Sequence, residues 1–130
     1  MIKVLVIILI LVFFALLISV FILKKVNDNQ FKKICKLYCD KYKELPVGVS
    51  VLYNSGPFTF STGYLVKMGF IVNPLIFGRP SSLSTNKEDV QFMRSLDAKL
   101  TNTIKLEFLL CYIALVDFIS LWGIVYFFGE

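Results

Sequence analysis

The residues of this chain with chemical potential are three cysteines, one carboxylate inside an apolar run and a crowd of lysines. Histidine is absent, which removes the commonest general base and the commonest metal ligand. Cys35 and Cys39 stand at i and i+4, on one face of any helix that holds them. A structural zinc site needs four ligands. Cys111 lies inside a later apolar run, and no second cysteine pair exists. Cys35 and Cys39 therefore read as small buried hydrophobes. There is no glycine-rich phosphate loop, no Gly-x-Ser-x-Gly and no metal pair. The expectation is a non-enzymatic protein with no catalytic residue, no cofactor-binding residue and no metal ligand.

Asp117 breaks the rule of its segment. A carboxylate near a span centre costs roughly 2.5–3.5 kcal/mol on insertion scales, and such residues face protein or water. The expectation for Asp117 is an intramembrane helix contact, made in neutral form or to another subunit. Ser120, one turn on, adds a local contact. The basic residues point to a different partner. Lys24, Lys25, Lys32, Lys33 and Lys36 follow directly on an apolar run. Beneath a span, each such lysine is worth about 1 kcal/mol against anionic headgroups. Nucleic acid is not expected, because aromatics are not interleaved with these lysines but fall on the opposite helical face. The expected partners are membrane lipids, together with a second copy of the chain or another membrane protein.

These residues are placed by two apolar segments. The 130 residues are 57% hydrophobic and 18% charged, which excludes intrinsic disorder, and the length excludes a large multidomain enzyme. Residues 4–23 carry no charge, and Ser19 is their only polar side chain. Twenty helical residues cover roughly 30 Å, about one hydrocarbon core. The segment reads as an uncleaved anchor, since its core exceeds the roughly 7–15 residues of a signal peptide and no Ala-x-Ala site follows. Residues 108–128 form a second span, interrupted only by Asp117, with Trp122 and Tyr126 near its end, where such rings favour the interface. One Lys precedes the first span, thirteen Lys and Arg lie between the spans and none follows the second. The positive-inside rule then places the centre in the cytoplasm and both termini outside.

The organisation expected is a transmembrane helix at 1–23, a cytoplasmic membrane-associated region at 24–107, and a second span with a short outer tail at 108–130. Within the centre, Phe31, Ile34, Cys35, Tyr38, Tyr42 and Leu45 recur at helical spacing, and Pro46 stops that helix. Residues 47–60 alternate about the turn signal Asn54-Ser55-Gly56-Pro57, which suggests extended chain or a small hairpin. Tyr64–Phe77 is too short to span and carries Lys67, so it reads as a buried or interfacial helix that breaks at Asn73-Pro74. Thr85-Asn86-Lys87-Glu88 fits a capping box, and Glu88 and Asp89 suit a helix N-terminus. Val90, Met93, Leu96, Leu100, Thr103 and Ile104 continue the stripe, so one helix is expected from near Asn86 into the second span. The fold class expected is mainly α: two transmembrane helices flanking a small cytoplasmic helical region, the second span continuous with a long cytoplasmic helix.

Lys32-Lys33-Ile34-Cys35, Gly56-Pro57-Phe58-Thr59-Phe60, Tyr64-Leu65-Val66-Lys67-Met68-Gly69-Phe70 and Glu88-Asp89-Val90-Gln91-Phe92-Met93-Arg94 follow one another in an order that resembles the universal stress protein B family of small bacterial inner-membrane proteins. The chain departs from it in its Pro74–Ser84 connection, its lack of histidine and Asp117. The resemblance implies a bacterial inner membrane and a link to envelope stress, and brings no catalytic residues. A protein of a different class, protecting against a membrane-acting toxin or a phage, fits the same size and spans.

Overall fold

The computed structural model describes residues 1–54, 60–80 and 87–129. It is mainly helical. The elements are α1 (Ile2–Tyr42), α2 (Val47–Asn54), α3 (Phe60–Lys67), a π-helix (Met68–Phe77), α4 (Asp89–Ser95) and α5 (Ala98–Phe128). Two compact units result, Met1–Lys25 with Leu106–Glu130, and Val26–Lys105.

No glycine or proline occurs before Pro46, so nothing interrupts α1 across its 41 residues. It ends earlier than Pro46 requires. Lys43 takes a left-handed conformation (φ 71°), its N–H donates to the Cys39 carbonyl at 2.7 Å, and the Cys39 thiol donates back to the Lys43 carbonyl at 3.4 Å. That left-handed residue is the C-terminal stop. Pro46 instead opens α2, where its carbonyl accepts the Ser50 N–H at 2.9 Å. Residues 47–54 are therefore helical, not a strand or extended chain. Their period-2 pattern had a second solution, since one turn of helix also buries Val49 and leaves Val47 and Val51 outside. Residues 55–59, which carry the rest of the expected turn, lie outside the described residues.

The segment expected to break at Asn73-Pro74 runs through it. Pro74 sits inside the π-helix, which continues to Phe77 and stops at Gly78. Proline has no N–H to give, and the wider i→i+5 register moves the partners that a proline would disrupt in an α-helix. Gly78 adopts φ 61° and donates its N–H to the Asn73 carbonyl, and Arg79 donates to the same oxygen at 3.3 Å. A Cβ at Gly78 would also meet the Arg94 guanidinium at 3.0 Å. The dihedral selects glycine, whereas the Arg94 side chain is long enough to swing aside from an added Cβ.

The helix expected to run unbroken into the second span is two helices. Leu96 is extended (ψ 149°), which ends α4, and Asp97 starts α5 by accepting the Lys99 N–H on its Oδ1 at 3.2 Å. Asp97 is an N-cap in mid-segment, a signal that the apolar stripe concealed. At the head of α4, Thr85 and Asn86 lie outside the described residues. Glu88 makes no side-chain capping bond. Its Oε2 accepts the Tyr42 hydroxyl instead, at 3.3 Å.

The core of Val26–Lys105 draws on every helix it contains. Phe31, Ile34, Cys35 and Tyr38 come from α1, Val49 from α2, Val66 from α3, Phe70, Ile71 and Val72 from the π-helix, Phe92 and Met93 from α4, and Ile104 from α5. The π-helix continues directly from α3 and packs against α4, and α2 packs against α3. Tyr38 is the hub: its ring meets Phe70 and Phe92 edge-on at 5.1 Å each, and Tyr42 at 4.7 Å. Burying each such apolar side chain contributes about 1.5–3 kcal/mol.

The unit Met1–Lys25 with Leu106–Glu130 has little inside. Val20 and Ala114 are buried, and Phe13 meets Phe118 at 5.7 Å. Leu11, Phe14, Ile18, Phe21, Tyr112, Leu115, Ile119 and Trp122 are exposed. In the most apolar 18 residues of each long helix only 6% of residues are buried. The apolar surface of these two helices is thus not consumed within the chain. Both are long and apolar enough to cross a membrane.

Candidate lipid-facing site

Of the five lysines that the sequence assigns to headgroups, Lys25, Lys32, Lys33 and Lys36 are exposed and Lys24 is half-buried. The reason lies in the period of α1. Phe31, Ile34, Cys35 and Tyr38 take the inward positions, all at most 3% exposed. Lys25, Lys32, Lys33 and Lys36 occupy remaining angles of the helix, outside that buried stripe. Lys41, on the same helix, places its Nζ 5.2 Å from the Tyr42 ring centroid and 5.8 Å from that of Phe92. It is held by ring faces.

Asp117 and Ser120 lie in α5, and the structure does not join them. The Ser120 hydroxyl donates to the Val116 carbonyl at 2.8 Å, and the Ser19 hydroxyl likewise donates to Ala15 at 2.9 Å. Both are local contacts of a kind that lets a hydroxyl sit in an apolar helix. Asp117 is partly buried, and its Oδ2 is fully covered without a hydrogen-bond partner. Trp122 and Tyr126 stack at 5.5 Å and remain exposed near the end of α5.

Four polar features escape the sequence reading. Lys67, which served there only to show that its segment does not span, is 2% exposed and donates to Asp28 Oδ1 at 3.0 Å. A lysine amid apolar residues, with an acidic residue on the amphipathic helix that must cover it, was the available signal. Asn27 is fully buried and donates through Nδ2 to the Thr103 carbonyl at 3.0 Å. Asp89 is fully buried as well, and its Oδ1 accepts the Tyr38 hydroxyl at 2.9 Å. Asp89 thus fastens α4 to α1, beyond any service to the helix N-terminus. Glu107, just before the expected second span, is only 2% exposed.

Cys35 sits in the core of Val26–Lys105. Burial, and secondarily the neighbouring Cys39, push its thiol from 9.0 up to about 12. The thiolate is the reactive form. At pH 8 that displacement lowers the thiolate fraction about a thousandfold relative to an ordinary thiol. Cys35 in the native chain is therefore expected to resist maleimide at pH 8 and to react once the chain is unfolded in denaturant. Mass spectrometry of the labelled peptide reads this, and equal native and unfolded rates would refute it. Among the described residues no group of three Cys, Asp or Glu is placed to hold a metal ion.

No family model matches this chain, and no curated protein or solved structure does.

Proposed function

We propose that this chain is a non-enzymatic two-span protein of a bacterial inner membrane. In this reading it binds anionic lipid through Lys24, Lys25, Lys32, Lys33 and Lys36, and a membrane partner through the apolar faces of α1 and α5. The supporting observation is the sorting of α1 beyond residue 23: Phe31, Ile34, Cys35 and Tyr38 are buried, while Lys25, Lys32, Lys33 and Lys36 are exposed. A basic face that directly follows an uncharged twenty-residue run is suited to headgroups. The thirteen-to-one placement of Lys and Arg favours both termini outside and the central residues in the cytoplasm. The architectural resemblance extends the proposal to adaptation under envelope stress.

The test uses the full chain in nanodiscs made from phosphatidylglycerol mixed with phosphatidylcholine. Phosphatidylglycerol should be enriched in the lipid that co-purifies after detergent extraction. Changing all five lysines to Gln should abolish the enrichment, and raised salt should weaken it in the unaltered chain. Enrichment indifferent to both would overturn the lipid reading.

A further inference from the structure

On α1, Phe14, Leu17, Ile18, Phe21 and Ile22 line an open depression of about 380 Å³, and Lys25 closes its C-terminal end. The size falls within the roughly 300–1,000 Å³ of small-ligand clefts. The lining residues recur at three, four and seven, so the depression follows one helical face. Every one of them is substantially exposed, from Leu17 at 38% to Phe21 at 67%.

We propose that this depression is a site for one anionic glycerophospholipid, an acyl chain lying along Phe14–Ile22 and the phosphate resting on Lys25. This rests on the reading of residues 4–23 as a span and of the adjoining lysines as headgroup ligands. Dimensions favour it. Eleven residues separate Phe14 from Lys25, about 16 Å at 1.5 Å each. Half of a hydrocarbon core is about 15 Å. A chain reaching down to Phe14 therefore leaves its headgroup level with Lys25. Charge favours it too. The rest of the lining is apolar and its one charge is a cation at the headgroup end. The open side leaves the second acyl chain in the bulk bilayer.

A second copy of the chain is the competing occupant. Copies inserted with one orientation meet in parallel, and a two-fold pairing through this face would set Lys25 against Lys25 of the other copy. Like charges so placed oppose the contact. A lipid phosphate meets the same ammonium with the opposite sign.

Native mass spectrometry of the full chain, released from micelles containing phosphatidylglycerol or phosphatidylcholine of equal chain length, tests the site. One retained phosphatidylglycerol is expected. Lys25→Gln should lower its retention about fivefold, the effect of one headgroup lysine. Lys25→Arg should preserve it, and Ile18→Trp, which fills the depression on an exposed face, should lower retention of either lipid. The triple variant Lys32→Gln, Lys33→Gln, Lys36→Gln should leave the single tight lipid in place. Retention that ignores Lys25→Gln and Ile18→Trp but falls in the triple variant would overturn the site while sparing the broader lipid reading. Absence of any phosphatidylglycerol preference would overturn both. A disulfide-linked dimer formed efficiently by Ile18→Cys in native membranes would assign the face to a second copy and overturn the site alone.

Discussion

Replacing Phe70 by alanine should cost the unit Val26–Lys105 about 3–5 kcal/mol. Phe70 is fully buried in the π-helix and meets Tyr38, itself in ring contact with Tyr42 and Phe92. Truncation removes the transfer energy of the ring and leaves a void that the π-helix, α1 and α4 cannot all close together. Native stabilities run to only about 5–15 kcal/mol, so the loss is a large share of the total. Amide exchange of the full chain in micelles reads it residue by residue. Protection in 64–77 and 89–95 should fall together. Val51→Ala, on the exposed side of α2, is the control and should change little, within about 0.5 kcal/mol. Equal effects of the two substitutions would mean that Phe70 does not organise this core.

The second large effect concerns the Lys67–Asp28 pair. Asp28→Ala should destabilise the same unit by about 2–3 kcal/mol, because it takes an ion-pair partner at 3.0 Å from an ammonium that is 2% exposed. The figure is set below that of a fully buried pair, since the Asp28 side chain is 36% exposed and water screens it. Lys67→Met should cost less than Asp28→Ala, since it removes the buried charge while keeping most of its volume. The informative variant is the double one. Asp28→Ala with Lys67→Met should be more stable than Asp28→Ala alone, a non-additivity measurable in the same exchange experiment. Simple additivity would show that the two side chains are neighbours without coupling.

The legible parts of the fold were those governed by a long, unbroken period. The twenty uncharged residues 4–23 and the stripe Phe31, Ile34, Cys35, Tyr38 each permit one solution, and α1 contains both. The short segments were ambiguous for a physical reason. Over eight residues, Val47–Asn54 satisfies alternation and a helical face equally, and the choice falls to the buried Val49 and the Pro46 carbonyl. Pro74 was read by its usual α-helical consequence, which the π register alters. Leu96 matched an apolar stripe, so Asp97 was not recognised as a cap. The polar half of the core was the least legible. Tyr38 with Asp89 and Lys67 with Asp28 join residues 51 and 39 positions apart. A pairing across that distance is fixed by tertiary contact, and no local pattern announces it. The exposure of Lys25, Lys32, Lys33 and Lys36 was easier, because exposure on α1 follows from which residues are buried.

The interruption at Leu96 bears on how openings spread along the chain. Helix formation is cooperative, and an unbroken helix frays from its ends inward, each turn lending protection to the next. The extended Leu96 puts two further ends in mid-chain, one closing α4 and one opening α5. Fluctuations that unzip the seven residues of α4 therefore stop there and need not unwind α5, whose first turn has its own anchor in Asp97. The chain thus has a fuse between two lengths of helix, and α4 can open together with the π-helix it packs against while α5 stays wound.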